Sequence, residues 1–229
     1  MSQSFSLVDS LAVSDLQTYL SRAARVEEGS VRLIGGSGVL AVYTAILYPR
    51  GLLDQTPTVL GLRTFAIEPG AGFDAVVPIR SLLDRLARLA DAVAAGGDAS
   101  SGPVEVRMPL EVSTVTWAGI SPPRGGWTTV GETTDGLLAG VSAAGIAEVA
   151  EAVPSGTGEQ LVQRVRAEVW GRPIDGLEYV PAGAAFAAES LGFLGTEEPV
   201  TILETGPWTR LTTKRGHTLV RRQAWSLRA

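Results

Sequence analysis

The 229-residue chain contains no cysteine, one histidine and one lysine. Without cysteine there is no disulfide framework and no thiol chemistry. A zinc site needs three or four Cys or His ligands, sometimes with one carboxylate, and a lone His217 cannot supply them. His217 is also the chain's one imidazole base. It lies between Gly216 and Thr218, in what reads as a solvated hairpin turn and not beside a poised serine. No G-x-S-x-G elbow occurs, because Val39 stands where GGSGV (35–39) would need its last glycine. The same GGSG lacks the Lys-Ser/Thr of a phosphate loop and reads as a plain turn. Long apolar runs are missing too. The longest, Val39 to Tyr48, is about half of the ~20 residues a membrane helix needs. Met1 to Ser14 shows no basic segment followed by an apolar one, so no secretory signal is expected. These exclusions point to a cytoplasmic protein with no metal, no cofactor and no catalytic set.

What is present is enough apolar sequence for a real core: 45% hydrophobic against 19% charged residues. The charge is unevenly placed. Residues 101–198 carry five Arg against thirteen acids, whereas residues 199–229 carry five Arg and Lys214 against Glu204 alone. An acidic middle is followed by a basic end.

The periodicities predict an α+β fold. Ser14 and Gln17 have capping-box spacing ahead of a helix with Leu16, Tyr19, Leu20 and Ala23 on one face. Val31–Ile34, Val39–Tyr48 and Thr58–Ile67 read as a three-stranded sheet, with GGSG turning the first pair. From Pro78 onward, Ile79, Leu82, Leu83, Leu86, Ala90 and Val93 form a stripe at helical period. GGDASSGP (96–103) then reads as a linker. This divides the chain into a helix/three-stranded sheet/helix unit, 1–98, and a helix-rich unit, 104–229, that ends in a small antiparallel sheet. In the second unit, Val104–Met108 and Val112–Trp117 are strand candidates. Helices are expected at 135–153, 158–170 and 181–193, followed by short strands at 200–203, 208–212 and 218–222.

Two groups of residues are candidates for binding. The first is WAGISPPRGGW (117–127). Pro122-Pro123 stiffens the backbone, Gly125-Gly126 permits a reversal, and Trp117 and Trp127 can anchor its two sides. Arg124 between them is either part of a rigid connector or a partner-binding contact. The second is the basic end: Arg210, Lys214, Arg215, Arg221 and Arg222. Three helices followed by a basic hairpin have the order of a winged helix, whose third helix would enter a DNA groove while the hairpin touches phosphate. Against nucleic acid, segment 181–195 holds no Arg or Lys.

The pattern W-x-G-x-x-P-P-R-x-G-W (Trp117, Gly119, Pro122, Pro123, Arg124, Gly126, Trp127), with W-x-R-L…V-R-R (Trp208, Arg210, Leu211, Val220, Arg221, Arg222), resembles a group of actinobacterial proteins. The resemblance implies no activity and transfers no functional residue. The expected function is therefore a non-catalytic interaction or structural protein, acting through a protein partner or self-association. The alternative is a winged-helix-like nucleic-acid binder.

Overall fold

The computed structural model describes residues 3–51, 54, 56–95, 102–112, 115–153, 156, 158–195 and 197–221. The expected GGDASSGP linker falls largely, and Arg222 wholly, outside them. The protein mixes helices with antiparallel sheet and is α+β. It divides into two compact units, Met1–Ala45 with Leu62–Ile120, and Ile46–Gly61 with Ser121–Ala229.

Unit 1 opens with β1 (Ser4–Leu7), then α1 (Ser10–Val26), β2 (Ser30–Gly36) and β3 (Val39–Leu47), whose last two residues belong to unit 2. β4 (Thr58–Ala66) is likewise shared, and β5 (Phe73–Pro78), α2 (Ile79–Ala95) and β6 (Val104–Arg107) complete the unit. Its main sheet runs β5-β2-β3-β4, and β1 pairs separately with β6. α1 starts earlier than the capping box at Ser14 suggests: Asp9 caps it, its carboxylate accepting from Ala12 N at 2.7 Å. Ser14 instead donates back to the Ser10 carbonyl, a common habit of a mid-helix serine. The Ser37-Gly38 turn has φ of 52° and 79° and joins Gly36 to Val39 in register. Two positive φ angles define the primed turn that matches strand twist. The stripe of α2 is real, with Ile79, Leu82 and Leu86 essentially inaccessible. Pro78, however, ends β5 and does not begin the helix. The strand expected at Val112–Trp117 does not form where it is described; a 3-10 turn, Thr116–Gly119, takes its end. Arg32 secures this turn. Its guanidinium holds both oxygens of Asp74 (2.8 and 2.6 Å) and the Ala118 carbonyl (2.6 Å). That fork, which raises the Arg32 pKa mainly through its hydrogen bond to Asp74, lies beside buried Trp117.

Unit 2 contains β7 (Thr128–Thr134), α3 (Asp135–Ala152), α4 (Glu159–Gly171), β8 (Pro173–Ile174), β9 (Leu177–Pro181), α5 (Ala182–Ser190), β10 (Pro199–Thr205), β11 (Trp208–Thr212) and β12 (His217–Arg221). The strands order β12-β11-β10-β7 and pair antiparallel. α4 begins at Glu159 behind Gly158. α3 and α5 pack closely because α5 offers almost no side chain at the contact: Ala182, Gly183, Ala184, Ala185, Ala187 and Ala188 are all buried. No helix among the described residues is long and apolar enough to cross a membrane.

Candidate binding surfaces

The boundary between the units falls between Ile120 and Ser121, inside WAGISPPRGGW. Trp117 is buried in unit 1. Residues 121–127 of the turn belong to unit 2. There Trp127 donates its indole N–H to the Pro123 carbonyl at 3.1 Å and closes the Pro-Pro-Arg-Gly-Gly loop. Gly126 sits at φ 77°, where a Cβ would stand 3.3 Å from Thr205 Oγ1. Arg124 is exposed at the loop's tip. The cation that stacks on Trp127 is Arg210 of β11, its guanidinium carbon 4.5 Å from the ring centroid. Two candidates that are 83 positions apart (210 minus 127) in sequence thus form one contact. A cation over an indole is worth about 0.5–2 kcal/mol. A double-mutant cycle with Trp127→Ala and Arg210→Ala, read by urea denaturation, should return a coupling of about 1 kcal/mol. A coupling near zero would remove this contact as a stabilising one.

Two of the remaining basic residues, Lys214 and Arg215, are engaged within unit 2. Lys214 pairs with Glu198 at 2.8 Å, and Arg215 Nη1 donates to the Leu194 carbonyl at 3.0 Å. Gly216 lies so close to Phe193 that a Cβ would come within 2.5 Å of its ring. The hairpin tip is therefore fastened to the segment that leaves α5. Arg221 is exposed. This overturns the winged-helix geometry. Its recognition helix, α5, is buried at six of its nine residues, and its wing is inner sheet, β11 pairing with both β10 and β12. Buried alanines cannot enter a groove, and a tip packed on Phe193 is not free to follow phosphate. His217 is likewise not a solvated turn residue. It starts β12, its Nδ1 lies 3.1 Å from Thr212 Oγ1, and burial, aided by the Arg210 charge, lowers its pKa to about 4.

Sequence reasoning missed a groove of about 680 Å³ at the start of α3, lined by Thr134, Asp135, Ala139, Glu189, Leu194 and Glu198 among others. Thr134 caps α3, its hydroxyl accepting from Leu137 N at 3.2 Å. Asp135 follows in the first turn and is 3% exposed. Its Oδ2 accepts from Gly195 N at 2.8 Å, while its buried Oδ1 has no hydrogen-bond partner among the described residues. Glu197, at φ 56°, and Glu198 complete the wall. No described cluster of His, Cys, Asp or Glu has the geometry to hold a metal ion.

With this geometry in hand, solved structures supply a likeness for nearly the whole chain. The DnaN sliding clamp of Bartonella birtlesii, solved bound to griselimycin, matches 98% of the chain with TM-score 0.54 and 11% identity. The chain folds like a DNA polymerase sliding clamp. A clamp from Caulobacter crescentus matches 99% with TM-score 0.51 and 12% identity. The DNA polymerase III β subunit of Thermotoga maritima matches 98% with TM-score 0.50 and 15% identity. The chain covers 67%, 66% and 65% of the Caulobacter, Bartonella and Thermotoga clamps, about two thirds of their length. By sequence, residues 1–105 match a domain of unknown function, DUF8010, and residues 122–225 another, DUF8185. Among curated protein sequences none matches. The interval between the two matched domains, residues 106–121, includes the first tryptophan of WAGISPPRGGW, whereas GGDASSGP (96–103) lies inside the first match.

Proposed function

We propose that the protein is a non-catalytic binding scaffold with the sliding-clamp fold, and that it assembles with protein, first of all with a second copy of itself. The observation that carries this reading is the outer surface of α3. From Gly136 to Ala147 the helix bears no charged residue, and Leu137 (41%) and Ile146 (46%) stand exposed among Gly140, Ala143, Ala144 and Ala147. An isolated exposed leucine is unremarkable; three helical turns of uncharged, apolar surface are a protein-contact face. The likeness to the DNA polymerase sliding-clamp fold, an interaction scaffold, supports the same reading.

Sedimentation equilibrium of the pure chain from about 1 to 100 μM should show a concentration-dependent dimer or larger assembly, and Leu137→Glu with Ile146→Glu should weaken it at least ~tenfold. A monomer throughout that range overturns self-association. Random duplex DNA at ~50 mM salt should bind near background, since nonspecific affinity is chiefly electrostatic and two of unit 2's hairpin cations, Lys214 and Arg215, already have partners within the unit. Strong, salt-sensitive binding would return nucleic acid to the front.

A further inference from the structure

We propose that the groove at the start of α3 binds a guanidinium group, the side chain of an arginine on a partner protein. Four carboxylates line it: Asp135, Glu189, Glu197 and Glu198. Asp135 is the centre of the argument. The positive end of α3 is already met by this residue's own negative charge, so the helix does not draw in a further anion. One Asp135 oxygen is held by the Gly195 amide, and the other is buried without a donor among the described residues. A buried carboxylate oxygen left unpaired costs on the order of 1–3 kcal/mol, more when charged, and an incoming donor recovers it. Leu194, Ala139 and Pro199 give the groove apolar walls beside its acids. A flat guanidinium suits that mixture: it is weakly hydrated, donates a planar fork to carboxylates and tolerates apolar neighbours.

The chain already places a cation at the rim. Lys214, the single lysine, reaches Glu198 at 2.8 Å, yet its side chain is 79% exposed. An exposed ion pair of this kind is worth at most about 1 kcal/mol, so an arriving arginine can displace it. Lys214 therefore competes with the ligand, which leads to a specific expectation. Removing it should strengthen binding.

The test titrates the full chain with acetyl-Ala-Arg-Ala-amide and with the same peptide carrying citrulline, the uncharged isostere of arginine, followed by NMR. The arginine peptide should bind saturably, on the order of millimolar or tighter, with the citrulline peptide at least ~tenfold weaker. Asp135→Asn keeps an acceptor for the Gly195 amide and should abolish the preference for arginine. Glu198→Gln, at the more exposed rim, should weaken binding without risk to the fold. Lys214→Met should strengthen it roughly 2–5-fold. Equal binding of both peptides, no saturation, or unchanged affinity in Glu198→Gln and Lys214→Met each overturns the proposal. Spermidine and Mg²⁺ are the further arms; displacement of the peptide by either at a concentration below the peptide's own Kd assigns the groove to that cation instead. The probe is a small peptide and Leu137 and Ile146 are left intact. A failure here is thus separate from a failure of self-association.

Discussion

Trp170→Ala should lower the free energy of unfolding by about 3–5 kcal/mol, the cost of emptying a buried tryptophan site. Trp170 is 2% exposed and closes α4. Its ring stacks on Phe186 of α5, centroids 4.4 Å apart at 19°. The space for that ring is made by glycine. A Cβ on Gly145 of α3 would lie 2.3 Å from Trp170 Cζ3, and a Cβ on Gly183 of α5 would lie 3.0 Å from the Trp170 carbonyl oxygen. Trp170 thus joins three helices: Gly145 leaves room for its ring, and Gly183 for its backbone carbonyl and Cβ. The arrangement makes a prediction of sign. In the wild type, Gly145→Ala gains about 1 kcal/mol of helix propensity but must displace a ring already stacked on Phe186, an overpacking cost of about 1–3 kcal/mol. It should destabilise. In the Trp170→Ala background the obstacle is gone, and the same substitution should become neutral or stabilising. Gly183→Ala should not be rescued, because Leu47 Cδ1 stands 2.4 Å from its Cβ position and the Trp170 carbonyl remains. Urea denaturation of the four variants around the Gly145–Trp170 cycle decides this. Additive effects would mean that the ring yields freely.

This cluster marks the limit of what could be read from the sequence. Gly136, Gly140 and Gly145 each disfavour an isolated helix at 135–153 by about 1 kcal/mol relative to Ala. The helix forms, and Gly145 is required by a side chain 25 positions further on (170 minus 145). Local propensity carries no term for such a neighbour. Where the signal is local, it was legible. The stripe Ile79, Leu82, Leu86 needs nothing beyond its own period, and the GGSG turn is specified by its own backbone angles. β7 escaped for the opposite reason. Thr128–Thr134 is an edge strand with no buried residue in its pattern, so it has no apolar alternation; the only hint is its run of β-branched threonines. α5 was recognised as a helix but given the wrong task. Its lack of Arg and Lys, noted against a groove-reading helix, was the correct signal: a stretch of Ala and Gly suits close burial between neighbours. The acidic groove was illegible because it is assembled at long range. Asp135 meets the 194–199 segment across about 60 positions.

His217 should make the protein lose stability on mild acidification. Burial lowers its folded pKa to about 4 from an ordinary 6.5, and the charge of Arg210 adds to the effect. Arg210 cannot easily withdraw, because it is stacked over Trp127. The sign follows from proton uptake. Between pH 6.5 and about 4 the unfolded chain binds a proton that the folded chain refuses, so unfolding is favoured as the pH falls. Above pH 7 both forms are neutral and the residue contributes no slope. At about 1.4 kcal/mol per pKa unit, the loss reaches about 2 kcal/mol by pH 5. At that pH most ordinary carboxylates are still ionised. Unfolding free energies from urea titrations at pH 7.5 and 5.0 measure it directly. His217→Asn, which retains a polar group for Thr212, should remove most of the pH dependence while leaving the other titrating groups in place. If the variant loses as much stability between the two pH values as the wild type, His217 is not the group responsible. If Arg210→Met shrinks the loss and Trp127→Ala does so to a lesser degree, the acid sensitivity belongs to the Trp127–Arg210–His217 array. That would join the histidine, set aside as a catalytic base, to the turn that holds the Pro-Pro-Arg loop.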